Sequence, residues 1–482
     1  MGELDRLSTE IVFGPRRLAW LLVVCLLAGI LSGAFVTFAT APIALAFAAG
    51  AIGGLVLLRS RMLGVLAVIG IVFLLPFAAV PLGIGFNPTF LNLSLLMALT
   101  VWTLQVALGQ QPRLMFSSVS PVVLGFTLVA LFCFILGLGH AALSSSIARH
   151  FAELVLAIVF ALVLVNIVQT EENLSLVTRA AVIAGGCAAF IGVFLYILPD
   201  DLAIRLLSPL RYVEYNVGLR YIRDDPSLAE RAIGTSGDPN SFGGLLVLVT
   251  ALTTAHLFST KRLIPRWVNL IFVGVMLLCL VLTFSRSAMV GVAFALSMIA
   301  ILQNRRLIPW MIVAGLTFLI LPQTRGYVDH FISGVRGEDL ATQMRFGEYS
   351  DAFRLIQRHP WFGVGFSGVP EIDIYLGVSS MYLLLAETMG IVGLLTFLFM
   401  MSVILLHLHR SWRITVDTQI RATILGVGAG LAGAMVSGIF DHYFVNITFP
   451  HAVTLFWLFV GLGLTASHIG QQSQTNLEDR QT

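Results

Sequence analysis

Charge is what this sequence has least of. Only 11% of its 482 residues are Asp, Glu, Lys or Arg, where a soluble domain carries roughly 25%. Lysine is nearly missing: Lys261 is the single one among 28 basic residues. Cysteine is scarce as well. Cys25, Cys133, Cys187 and Cys279 all fall within apolar runs, and none stands at metal-ligand spacing. That pattern excludes a disulfide scaffold and a cysteine metal site and leaves four small core hydrophobes. A net charge of +3 is too weak for a nucleic-acid partner. The sequence has no transporter-like internal repeat and no small-residue cleavage pattern after its first apolar run, which reads as a retained span.

What fills the space is apolar: 58% of residues, with a mean hydropathy of +0.94. The apolar residues are gathered into runs of about 17–25, the length that crosses a hydrocarbon core. Fourteen such runs stand at 18–38, 42–58, 62–84, 88–109, 119–140, 150–168, 175–198, 241–258, 267–284, 287–303, 307–322, 379–407, 420–440 and 449–469. The fold class that follows is all-α, a polytopic transmembrane helix bundle of about 12–14 spans. Its plan is a cytoplasmic segment 1–17, N-terminal spans 18–198, a polar loop 199–240, central spans 241–322, a large polar loop 323–378, C-terminal spans 379–469 and a cytoplasmic tail 470–482.

Orientation follows from Arg and Lys in short connections. With Arg6, Arg16 and Arg17 in the cytoplasm, every second connection returns there. Those connections hold Arg59 and Arg61; Arg113; Lys261, Arg262 and Arg266; Arg305 and Arg306; Arg410 and Arg413. Arg149, at an outer end, is the exception. Both long loops then lie outside, as does the tight connection at Arg286. Long loops with Trp, Tyr, Phe and patterned charge are expected to fold over the membrane surface with short interfacial helices of their own.

Four polar constellations stand at that outer end. Arg231 to Asn240 (RAIGTSGDPN) breaks with Gly and Pro, then caps the next span; a helix N-terminus beside an Arg suits an anion, and the same residues also read as a plain cap. Thr283-Phe-Ser-Arg286 sits between two spans, where an Arg faces an anion, a carboxylate or water, or snorkels to headgroups. From Asp339 to Arg358 an amphipathic helix is expected, with Leu340, Met344, Gly347, Tyr349, Phe353 and Ile356 on its apolar side and Arg345, Glu348 and Asp351 elsewhere. It stops at His359-Pro-Trp-Phe-Gly-Val-Gly-Phe-Ser-Gly368, where Pro360 and the glycines require a tight path and His359 reads as a cap partner. Asp441-His442-Tyr443 offers a base with an orienting carboxylate, or a satisfied cap.

These segments, in this order, resemble the O-antigen ligase and O-antigen or exopolysaccharide polymerase family of bacterial inner-membrane proteins. The resemblance rests on Gly234 to Asn240, Ser285-Arg286, Arg345 opening the helix that ends in HPWFGVGF, and Tyr382-Leu with Ala386-Glu387-Thr388-Met389-Gly390-Ile-Val-Gly393. It covers roughly residues 230–400. What it implies is a metal-independent membrane glycosyltransferase without cofactor, seated in the inner membrane with both termini cytoplasmic. Its partners would be polyprenyl-diphosphate-linked oligosaccharide, membrane lipids and polysaccharide-assembly proteins, with no nucleic acid. Arg286, Arg231 and Arg345 would bind the diphosphate, since fixed guanidinium groups stabilise a departing diphosphate by electrostatic preorganisation. The chain departs from the family at Ser379 and Ser380, where ligases carry a His-Asn pair before the Tyr-Leu. The acceptor's base would then come from Asp373, Glu371 or His442. That departure puts a polymerase ahead of a ligase acting on lipid A core. A polytopic transporter and a non-catalytic assembly component are the rivals; the charges of the first half, Glu153 and Arg179, sit near span ends, where a transporter would place them deep.

Overall fold

The computed structural model describes residues 60–80, 87–109, 114–215, 218–320, 336, 340–368 and 378–478. Their elements are α1 (Arg61–Leu74), α2 (Phe90–Ala107), α3 (Ser120–Gly137), α4 (Ser145–Ile167), α5 (Glu171–Ile197), α6 (Asp200–Leu207), β1 (Arg220–Tyr221), β2 (Glu230–Arg231), α7 (Pro239–Leu257), α8 (Arg266–Leu282), α9 (Arg286–Gln303), α10 (Leu307–Ile320), α11 (Leu340–Arg358), α12 (Met381–Ile414), α13 (Thr418–Ser437) and α14 (Pro450–Glu478). Twelve of these helices fall on twelve of the fourteen apolar runs; the runs 18–38 and 42–58 lie outside the described residues. Among the described residues nine helices are long and apolar enough to cross a bilayer, and α1, α8 and α10 are shorter apolar helices. The helix α1 ends at Leu74, ten residues before its run does, because Pro76 lacks the N–H that would continue it.

Local chemistry sets the starts. Thr89, Ser144, Thr170, Asp238 and Asp417 each stand at an N-cap with the side chain accepting a backbone N–H of the first turn. At the centre lie α7, α13 and α14, apolar all round and buried along most of their length. Helices in lipid associate by close packing, so small residues line their contacts. A Cβ added at Gly433 of α13 would stand 2.5 Å from the Gly291 carbonyl of α9, and one added at Gly291 would stand 2.8 Å from the Gly433 carbonyl.

Contacts between helix ends sort into two sets, as the alternation of spans requires. At one end Asn166 bonds the Met115 backbone in both directions (2.7 and 2.9 Å), Gln419 donates to Ser175 (2.9 Å), and Lys261 lies 3.5 Å from Glu171 and 3.2 Å from Asp417. At the other, Ala79 N donates to Val213 O, Ala232 N to Leu282 O, and Met381 N to both Gly438 O and Asp441 O. Both polar loops belong to this second end. The first contains α6 and a two-residue antiparallel pair, β1 with β2; the second contains α11.

Two features of the second loop differ from the pattern the sequence suggests. The face of α11 that meets the bundle is not the most apolar one. Ala352 and Leu355 are fully buried, Arg345, Glu348 and Tyr349 are half-buried on the same stripe, and Met344 and Phe353 are exposed. The i, i+3, i+4, i+7 spacing holds, but polar partners decide which stripe turns inward. The second is a break in α12. Gly390 has φ 67° and ψ −172° inside the helix, and the HPWFGVGF segment docks into the gap. Ile391 N and Val392 N donate to Pro360 O and Trp361 O, while Val364 N and Gly365 N donate to Glu387 O and Thr388 O. The groups orphaned on both sides of the break are thus paired with protein backbone, the condition under which a span can be interrupted.

Candidate functional site

The site is assembled from four connections at the loop-bearing end. Asp238 accepts from Ser241 N (2.7 Å) and so fixes the start of α7, with Pro239 in its first turn. Arg231, on β2, reaches across this start: its Nε donates to Thr283 O (2.8 Å) and its Nη2 to Asn240 Oδ1 (2.7 Å). One guanidinium therefore ties the C-terminus of α8, the side on which helix carbonyls favour a cation, to the first turn of α7.

Between α8 and α9 the chain turns at Phe284, whose φ of 53° is left-handed for a residue with a bulky side chain. Such backbone costs about 1–3 kcal/mol and clusters at functional sites. The turn delivers Ser285, Arg286 and Ser287 together. The Ser285 and Ser287 hydroxyls are 3.2 Å apart, and Ser287 Oγ donates to Asp441 Oδ2 at 3.3 Å. Asp441 is buried between α13 and α14, and its other oxygen accepts the His442 backbone N–H (3.0 Å).

The fourth piece is α11. Glu348 accepts the Ser379 N–H (2.9 Å), and Tyr349 OH donates to Ser379 O (3.4 Å). Two adjacent side chains thus hold both backbone groups of Ser379, and Met381 two residues on is bonded to Asp441 O (2.9 Å). Through this chain of bonds α11, carrying Arg345, is fixed relative to Asp441.

Electrostatics make these pieces one neighbourhood. Burial lowers the pKa of Arg231; Asp238 and Asp441 oppose that, and Arg286 adds to it. Burial raises the Asp441 carboxyl above its ordinary value, against the pull of His442 and Arg345. Burial likewise raises Tyr349, with Arg345 opposing and Glu348 and Asp441 assisting. Arg231 and Arg345, more than a hundred residues apart in sequence, therefore both act on the buried Asp441 carboxyl, and Arg286 acts on Arg231.

The other expected residues fare differently. His442 is half-buried with its ring against Phe449, but its Nδ1 is 3.9 Å from Asp441 Oδ1, too long for a hydrogen bond, and has no hydrogen-bond partner. Asp373 and Glu371 lie outside the described residues. Sequence reasoning placed Asp441 as the orienter of His442; in the structure Asp441 also accepts from Ser287 and lies within the electrostatic reach of Arg231 and Arg345. It also missed the Glu348–Tyr349 hold on Ser379, whose signal was the stripe Arg345, Glu348, Tyr349, Ala352. Among the described residues no group of three or more His, Cys, Asp or Glu is arranged to hold a metal ion.

No curated protein matches the chain. Residues 271–398 match the family described as O-antigen ligase. The matched stretch runs from α8 into the broken α12 and contains Arg286, Arg345, Ser379 and Gly390; Arg231 and Asp441 fall on either side of it. The chain is a polytopic membrane protein whose residues 271–398 are similar to the O-antigen ligase family.

Proposed function

We propose that the loop-bearing end faces outward and transfers glycan from a polyprenyl-diphosphate carrier, extending a polysaccharide as a polymerase does. The observation that carries this reading is that Arg231 and Arg345 both act on the buried Asp441, with Arg286 acting on Arg231 and its neighbour Ser287 bonded to Asp441. An acceptor hydroxyl attacks the anomeric carbon, the bond from that carbon to the diphosphate oxygen breaks, and the electron pair leaves with the diphosphate. Guanidinium groups fixed before the reaction stabilise the charge that develops there. The hydroxyl's proton passes to a base, for which His442 Nδ1 is our assignment, with Asp441 beside it to hold the imidazolium. Asp373 is the second candidate.

The test replaces Arg286 by Ala or Lys and measures polymer length in the native host. Arg286→Ala is expected to cut transfer by about 10²–10³-fold, the usual effect of removing one preorganised charge. Arg286→Lys keeps charge but loses the planar fork and should fall between. Normal polymer at normal protein level would refute the diphosphate role.

Two other readings have an observation behind them. The matched family's description favours a ligase that passes glycan to lipid A core, whereas Ser379 at the position of the ligase histidine favours the polymerase. A transporter draws support from the broken α12, where Glu387 is 1% exposed and its carboxylate oxygens have no hydrogen-bond partner. Purified protein supplied with lipid-linked oligosaccharide and no gradient should yield polymer only under the first reading.

A further inference from the structure

A second buried polar cluster at the same end plays no part in holding the diphosphate. It sits on the first turn of α2 and the second and third turns of α4. Glu153, 4% exposed, accepts from Asn92 Nδ2, lies 3.0 Å from His150 Nδ1 and 3.6 Å from Arg149 Nε. Among the described residues this is the one imidazole hydrogen-bonded to a carboxylate. An ionised carboxylate only accepts, so Nδ1 carries the proton and Nε2 turns a lone pair away from Glu153. That lone pair accepts a long bond, 3.5 Å, from Arg149 Nη2. Arg149 Nη1 reaches Asn87 O at 3.5 Å as well. These contacts are long, so the guanidinium is placed without being saturated. Two groups pointing into the cluster have no hydrogen-bond partner: Arg149 Nε, and Asn92 Oδ1 on a side chain only 8% exposed.

We infer that this cluster binds the acceptor glycan by a vicinal diol. The Nε2 lone pair accepts one hydroxyl proton in place of its long Arg149 contact, and the Arg149 fork so released donates to the neighbouring hydroxyl oxygen. Charge supports neutral sugar over phosphate: the Arg149 guanidinium already faces the Glu153 carboxylate at 3.6 Å. The side chains of Arg149 and His150 keep 33% and 16% of their surface, so the cluster is reachable. Its place also fits. Asn87 donates to Glu214, Ala79 N to Val213 O, and Phe77 packs edge-on against Tyr215. A Cβ at Gly237, next to the capping Asp238, would stand 3.5 Å from that Phe77 ring. A continuous set of contacts thus links the cluster to the loop that carries Arg231. Arg149, the exception to the charge rule, then has a function at an outer end.

This inference rests on the proposed glycan transfer, and the experiment separates the two. The full-length protein in lipid nanodiscs is titrated with two probes: the repeat-unit oligosaccharide released from the native host's lipid-linked pool, and inorganic pyrophosphate. His150→Ala and Arg149→Lys should each weaken oligosaccharide binding at least tenfold and leave pyrophosphate binding intact. Arg149→Lys keeps the ion pair to Glu153 and so controls for folding. Periodate, which cleaves vicinal diols, should abolish binding of the oligosaccharide to the unaltered protein. Arg286→Ala should do the reverse, losing pyrophosphate alone. Wild-type affinity in both Arg149→Lys and His150→Ala, or unchanged binding after periodate, would overturn the diol site. Failure of pyrophosphate to bind the unaltered protein would instead count against the diphosphate reading.

Discussion

At one end of the bundle Lys261 is shared by Glu171 and Asp417, Asn166 is paired with the Met115 backbone on both sides, and Ser473 donates to Glu171 at 2.7 Å. At the other, Phe284 and Gly390 take left-handed backbone, Arg231 is half-buried within reach of Arg286, and His442 Nδ1 has no hydrogen-bond partner. The first end obeys the ordinary rules of helix termini: cap, pair, expose. The second breaks them repeatedly in a small volume. Local rules are broken where function requires it, so the contrast itself points to the end that does chemistry.

The largest effect should come from destroying the broken helix. A Cβ at Gly390 would meet the Trp361 carbonyl, and its φ of 67° suits glycine. Gly390→Ala should cost about 1–3 kcal/mol in conformation and about as much again in overpacking, from a total of about 5–15 kcal/mol. Gly428→Ala, in the undisturbed middle of α13, meets only Leu408 at 3.8 Å and should be near neutral. Thermal unfolding in detergent checks the pair; equal shifts would remove the special standing of the break.

Much of this contrast was legible in the sequence, and the reason is periodicity. Long apolar runs need only length and composition to be recognised, so α2 to α5, α7, α9 and α12 to α14 stand where the runs do. The alternation of basic connections assigned Arg231, Arg286 and Arg345 to one end, and the structure brings them together there. What was not legible depends on three dimensions. Nothing in Thr-Met-Gly-Ile-Val marks a break, because Gly390 sits inside an apolar run and its partner segment is some thirty residues upstream. The inward stripe of α11 was misjudged because Glu348 and Arg345 are drawn in by Ser379 and Asp441, while Phe353 finds room outside. Glu153 looked like a charge near a span end; Asn92, sixty-one residues away, is what makes it part of a cluster.

A smaller effect should follow pH in the first polar loop. Burial, with Asp200 adding to it, pushes Glu230 up from 4.5 to about 7. A carboxyl raised in the folded state keeps its proton while the unfolded chain has already lost one. Its contribution is therefore full below about pH 4.5 and is lost as pH rises through about 7. Protection factors for amide exchange across β1 and β2 should fall over that window, and Glu230→Gln should flatten the profile. Since this loop carries Arg231, a flat profile in the unaltered protein would mean the β pair is docked by other contacts.

The smallest effect should lie at the tied-off end. Lys261 has two carboxylate partners, but its side chain is 54% exposed, and exposed ion pairs contribute about 0–1 kcal/mol each. Lys261→Ala should move the unfolding midpoint by a degree or two at most and leave glycan transfer unchanged. It also sets the scale for Arg231→Ala. That change strips the buried Thr283 O and the half-buried Asn240 of their donor, and leaving a buried acceptor such as Thr283 O unpaired costs about 1–3 kcal/mol. The ratio of the two shifts measures how much more strongly charge is used at the end with the Arg residues. Should Lys261→Ala prove as damaging as Arg231→Ala, the two ends would be equally committed to charge, and the inference from broken rules to function would lose its footing.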